Sequence, residues 1–231
     1  MNRILFHNLG LKDYKETWDF QEELFAGMIP GGAGRPIAGH LIFVEHPHVF
    51  TLGKSGSESN LLINEAMLKQ KGAQFYRINR GGDITYHGPG QVVGYPIIRL
   101  DLFGLGIRTY IFNLEETIIR TLKTYGIAAG RLEGASGVWL DAAQPSVRKI
   151  CAIGVRASRQ VTMHGFAFNV NTDLSFYQLI NPCGFIDKGV TSMQKELGQA
   201  VDMTELKSIL LQQFNEVFGA EETGDPRLRS G

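Results

Sequence analysis

A single α/β domain is the fold class this sequence predicts, and three observations predict it. The 231 residues suffice to bury one full core, and apolar and charged fractions of 43% and 20% exclude a disordered chain. Three segments, near residues 11–25, 110–125 and 202–218, repeat apolar side chains at helical spacing. Between them lie short apolar or alternating runs of strand length.

Charge and hydropathy exclude several functions. Lysines and arginines together number 23, as do aspartates and glutamates, so the net charge of +0 argues against bulk nucleic-acid binding. No apolar run approaches a bilayer span, and the opening MNRILFHNLG lacks the apolar stretch of a secretion signal. The expectation is a cytoplasmic protein that binds neither membrane nor nucleic acid. In a reducing compartment its two cysteines, Cys151 and Cys183, are free thiols.

Each element has its own signal. After a short opening strand, Leu11, Tyr14, Trp18 and Phe25 define an amphipathic helix. Met28 to Gly39 is rich in glycine and proline and reads as a loop, whose Gly31–Gly34 segment has no assigned role. Leu41 to Val44 is a buried strand that delivers EHPHVFTLG. His46 and His48 resemble a metal pair, but no further ligands accompany them, so lining a site is the better reading and no metal is expected. Asn64 to Lys71 suits a short helix stopped by Gly72, and Gln74 to Asn79 a strand. In the strand Gln91 to Leu100, a period of two puts Gln91, Val93, Tyr95 and Ile97 on one face. Tyr110 to Tyr125 is a helix with Ile111, Leu114, Ile118 and Leu122 as its stripe. From Gly137 to Asn171 three strands form an antiparallel meander, and Asp173 to Leu179 is a helical turn. Asp202 caps a last helix that ends at Phe218. The domain is therefore residues 1–218, with residues 219–231 a polar, loose tail.

Chemistry concentrates in RGGDITYHGPGQ, residues 80–91. Four glycines are interleaved there with Arg80, Asp83, Thr85, Tyr86 and His87, which donate, accept or titrate. A hairpin needs only one glycine cluster, so the run reads as a binding wall. Of the two thiols, Cys183 sits in a Pro-Cys-Gly turn where backbone N–H groups can face an oxyanion. Cys151 lies in an apolar strand, where a free cysteine is usually core, yet it shares a strand face with Lys149. Lys149 either lowers a thiol's pKa or extends its stem to solvent at a strand end, and spacing alone leaves both open.

Five motifs in order, EHPHVFTLG, RGGDITYHGPGQ, KICAIGVR, VTMHGFAFNV and NPCGF, resemble the lipoyl(octanoyl) transferases over nearly the whole chain. The resemblance implies a biotin/lipoate protein ligase-like domain, a mixed β-sheet flanked by helices. It implies that Cys183 carries the acyl group as a thioester and that Lys149 lowers its pKa. The substrate walls it implies are Arg80, Gly81, Gly82, Asp83, Ile84, Thr85, Tyr86 and His87, then Ala152, Ile153, Gly154, then Gly165, Phe166 and Ala167, with Tyr95 and His164 as supports. In the family pattern position 151 is commonly alanine, and here it is cysteine.

The implied reaction moves octanoate from octanoyl-acyl carrier protein to the lysine ε-amine of lipoyl domains, the first step of endogenous lipoate biosynthesis. The acceptors implied are the lipoyl domains of 2-oxoacid dehydrogenase complexes and the glycine cleavage H protein. No cofactor is expected beyond the phosphopantetheine that carries the octanoyl group. A basic rim of Arg148, Lys149, Arg156 and Arg159 would meet the acidic carrier. Two other readings use the same fold: an ATP-dependent lipoate or biotin ligase, and a non-catalytic lipoyl-domain binder.

Overall fold

The computed structural model describes residues 2–29, 37–181 and 188–224. Cys183 and the Gly31–Gly34 loop therefore lie outside the described residues. Strand β1 (Asn2–Leu11) leads into helix α1 (Tyr14–Met28), then β2 (Gly39–Glu45) and β3 (Val49–Leu52). Helix α2 (Glu65–Gln70), β4 (Gln74–Arg77), β5 (Ile84–His87) and β6 (Gln91–Ile98) follow. After α3 (Ile107–Thr124) come β7 (Gly130–Leu132), β8 (Ala135–Leu140), β9 (Arg148–Ser158) and β10 (Val161–Asn169). A 3-10 turn (Leu174–Leu179), β11 (Gly189–Val190), α4 (Met193–Leu197), α5 (Met203–Phe218) and β12 (Ala220–Gly224) complete the described chain.

The main sheet runs β12-β1-β2-β6-β10-β9-β8-β7, with β11 paired to β9. It is mixed: β1 is parallel to both β2 and β12, whereas β6, β10, β9 and β8 pair antiparallel, the expected meander. A second sheet has the order β4-β3-β5.

The helices cover the main sheet because their apolar stripes match its two faces. Leu114, Ile118 and Leu122 of α3 and Leu206, Leu210 and Phe214 of α5 are buried against Val92, Phe168 and Cys151. Leu24, Phe25 and Met28 of α1 pack on the other face with Ile42, Val44, Val93 and Ile97. Strand β6 shows the rule, since Val92 and Val93 are neighbours yet belong to opposite cores. Each helix starts at an acceptor where one is available: Asp13, Asn64, Ser192 and Asp202 all take backbone N–H groups at helix N-termini.

Two expectations are corrected here. Leu11 does not join the first helix; it ends β1 and is 64% exposed, because Asp13 caps α1 and fixes its start at Tyr14. The tail is not loose from residue 219. Ala220 to Gly224 pairs in parallel with Asn2 to Phe6, because the outer edge of β1 offers unpaired backbone groups to any chain passing beside it.

Candidate active site

One cavity of about 290 Å³ opens on the α1 face of the main sheet and is closed over by β5 and the 3-10 turn. Nearly all the residues anticipated from the sequence line it. Arg80, Thr85 and His87 form one wall, Ala152, Ile153 and Gly154 of β9 another, and Gly165, Phe166 and Ala167 of β10 the floor, with Lys149, Tyr95 and His164 among them.

Gly81 and Tyr86, expected in the substrate walls, do not line the cavity. In β5 the period of two turns Thr85 and His87 inward and sends Tyr86 to the opposite side, where it packs with Phe50 and Phe176. Gly81 stands behind the wall: its N–H donates to Val155 O at 3.0 Å and its carbonyl accepts from Arg80 Nη1. His46 and His48 also stand one layer back. His46 Nε2 meets the Tyr95 hydroxyl at 2.9 Å and His48 Nδ1 the Tyr86 hydroxyl at 2.7 Å, so each braces a tyrosine. Among the described residues no group of three or more His, Cys, Asp or Glu is placed to hold a metal ion.

The wall at Arg80 depends on glycine geometry. Gly82 adopts φ +87°, a left-handed turn that costs any other residue strain. A Cβ on Gly154 would lie 2.9 Å from Gly81 O and 3.1 Å from Arg80 Cδ, so only glycine lets the arginine stem lie against β9. Burial pulls the Arg80 pKa down. Its Nη2 donates to Thr51 O at 2.7 Å and to Thr51 Oγ1 at 3.1 Å.

Arg80 is the first link of a directional chain. Thr51 Oγ1 accepts from the guanidinium and lies 3.3 Å from His87 Nε2, so its hydroxyl donates to that nitrogen. His87 Nδ1–H then donates to Gln91 Oε1 at 2.8 Å. Gln91 Nε2 donates to Tyr86 O and to Asn169 Oδ1, and the latter also accepts from the Tyr177 hydroxyl at 3.1 Å. Every acceptor is therefore assigned and one tautomer of His87 follows. Burial lowers the pKa of His87, and separately that of His164, to about 3, so both are neutral in the folded protein.

His164 carries backbone strain. It holds φ +61° inside β10, with its N–H donating to Gln21 Oε1 and its Nε2–H to Asn79 Oδ1 at 2.9 Å. A side chain clamped from two other elements is kept at the cavity wall in a conformation the strand alone would not choose.

The two ends of β9 settle which residues share a face. Val138 pairs with Cys151 but Trp139 with Lys149, so Ile150 is an extra residue, a β-bulge. Ile150 and Cys151 consequently both turn into the core, fully buried, while Lys149 faces the cavity. The shared face expected for Lys149 and Cys151 is thereby corrected. Burial also pushes the Cys151 thiol pKa far up, which leaves it a protonated core side chain.

Lys149 Nζ sits 4.4 Å above the Trp139 ring. Burial lowers its pKa to about 8, and the nearby charges of Arg80 and Lys188 push the same way. Val190 of β11 pairs beside it, and Ile180, Lys188 and Gly189 line the same part of the cavity. Asn181 N–H donates to Asn60 O, while Lys188 stands near Lys149.

Of the expected basic rim, Arg148 pairs with Asp141 and with Glu196 at 2.7 Å, and Arg156 with Glu22 at 3.2 Å. Sequence reasoning missed Tyr14, Trp139, Asn169, Tyr177 and Lys188, which also line the cavity. Asn169 had a signal: an amide in the otherwise apolar run FAFNV needs a buried partner.

The fold is shared with solved lipoate-protein ligases. Lipoate-protein ligase A bound with ATP superposes with a TM-score of 0.75 at 16% identity, covering 97% of this chain and 88% of that one. The bipartite ligase of Thermoplasma acidophilum also gives 0.75 at 15% identity, with coverages of 97% and 87%. The family model described as the lipoyl protein ligase A/B catalytic domain matches residues 13–215, and the chain belongs to that family. Its curated relatives include proteins named octanoyltransferase. That of Christiangramia forsetii is 55% identical over 96% of this chain and 98% of its own length. That of Flavobacterium johnsoniae is 54% identical, with coverages of 95% and 98%.

Proposed function

We propose that this protein is an octanoyltransferase of lipoate biosynthesis, moving an octanoyl group from acyl carrier protein to a lysine ε-amine on lipoyl domains. The supporting observation is the half-buried Lys149, its pKa lowered by burial, facing the cavity beside Lys188. Full-length relatives at 54–55% identity carry the matching name.

In this reading the Cys183 thiolate attacks the carrier thioester, the phosphopantetheine thiol leaves with a proton, and the acceptor amine then attacks the acyl-enzyme. A cation beside a thiol favours its thiolate, which is the part assigned to Lys149. With a pKa near 8, the same amine can shed its proton at mildly alkaline pH and take one from the incoming lysine. Exchange between thioesters is nearly balanced and thioester to amide runs downhill, so the cycle calls for neither nucleotide nor metal. Acceptors are the lipoyl domains of 2-oxoacid dehydrogenase complexes and the glycine cleavage H protein.

Intact mass after incubation with octanoyl-carrier protein tests the assignment. An octanoyl adduct is expected on the wild type and on Cys151→Ser, none on Cys183→Ser, and one formed at least tenfold more slowly on Lys149→Ala. An adduct that follows Cys151, or transfer that requires ATP and survives Cys183→Ser, refutes the assignment in favour of a different nucleophile or a ligase. Acyl binding with no adduct on any variant would indicate a binder.

A further inference from the structure

We propose that Tyr14 is the end-stop of the acyl slot and so sets the chain length the enzyme accepts, an inference that rests on the octanoyl-transfer reading above. The cavity has a clear direction. Gly134, Ser136 and Gly189 on its lining are exposed, whereas Tyr14, Val93 and Tyr95 are at most 3% exposed. The first group marks the mouth, beside Lys149, and the second the closed end.

Val93 and Tyr95 stand on β6 of the main sheet and form its floor. Tyr14 alone arrives from another layer, the first turn of α1, whose start is pinned by Asp13 accepting two backbone N–H groups. Its ring is fixed on three sides. It lies parallel to His87 with centroids 5.8 Å apart, parallel to Tyr76 at 5.6 Å, and meets His46 edge-on at 5.1 Å. Tyr76 is half-buried, so the stack of Tyr14 on Tyr76 leads from the slot end toward the surface. The Tyr14 hydroxyl has no hydrogen-bond partner among the described residues, so what the side chain contributes there is bulk. The neighbouring His87 and His164 are neutral, and the nearby Arg80 guanidinium is engaged by Thr51 and by Gly81 O.

The energetics make such a stop selective. Each methylene buried adds about 0.8 kcal/mol, roughly fourfold in affinity, until the chain meets the ring. One carbon further forces a packed aromatic out of its stack, and the gain turns into a loss.

Acyl-enzyme formation from carrier proteins charged with six-, eight-, ten- and twelve-carbon chains, compared as kcat/KM, tests this. Tyr14→Phe is expected to keep the wild-type ranking, because the hydroxyl is not used. Tyr14→Leu should move the optimum about two carbons longer and raise the ten-to-eight-carbon ratio at least tenfold, as two methylenes at fourfold each imply. Tyr14→Trp should move it toward six carbons. Val93→Leu, which narrows the same end from the floor, should also favour six and keeps the test decisive if a Tyr14 variant does not fold. Folded variants that retain the wild-type ranking overturn the inference. A wild type that forms no acyl-enzyme with any chain overturns the octanoyl-transfer reading instead.

Discussion

Lys149 shows what burial does to one side chain. Removed from water beside two other cations, its ammonium loses stability and its pKa falls to about 8. The sign is definite: below pH 8 the amine is protonated and can support a thiolate, and above it the amine is free to act as a base. Transfer from the acyl-enzyme to an acceptor peptide should therefore rise from pH 7 to 9 with an inflection near 8, and Lys149→Arg should abolish the inflection. A single-turnover pH profile checks this. At this scale the sequence was legible wherever chemistry forces a residue type: Arg80, His87 and Lys149 all reach the cavity. It failed where a single inserted residue changes parity, since no periodicity reveals the bulge at Ile150 that separates Cys151 from Lys149.

Among the elements, α3 was legible almost residue by residue, because a helix that must bury one stripe writes that stripe into its sequence, whereas in α5 the buried stripe is Leu206, Leu210, Phe214 and Phe218, with Ile209 and Val217 only partly buried beside it. Strand β12 was illegible for the opposite reason. It is held by backbone pairing with β1, and backbone pairing leaves no pattern in polar side chains. The five register pairs with β1 give a quantity to measure. Truncation after Gly219 should lower the unfolding free energy by about 1–3 kcal/mol, since ladder bonds contribute roughly 0.5–1.5 kcal/mol each before the ordering entropy is subtracted. Urea denaturation would reveal it, with acyl-enzyme formation at low urea retained. An unchanged midpoint would mean that β12 contributes no net stability.

The molecule as a whole is built to exclude protons from its centre. His46, His87 and His164 have pKa values near 4, 3 and 3 against a usual 6.5, all lowered chiefly by burial. Because the folded values lie below the unfolded ones, the stability these sites allow is complete above pH 6.5 and drains away as pH falls toward 4. Each imidazole contributes a slope of up to about 1.4 kcal/mol per pH unit across that window. Urea midpoints at pH 7.5, 6 and 5 should fall progressively, and His87→Gln should flatten the decline. The mixed α/β architecture itself was readable from alternating periodicities. The existence of a separate three-stranded sheet was not, since β3, β4 and β5 are four residues each, too short for a periodicity to reveal their partners.

The sheet's outermost pairing joins Asn2 to Ala220, nearly the full described length apart. During synthesis, then, one margin of the first strand waits uncovered while almost every other element is made. A prematurely stopped product would carry that margin open to a neighbour's backbone, and clumping of shortened chains, rather than their inactivity, is the hazard the cell must manage.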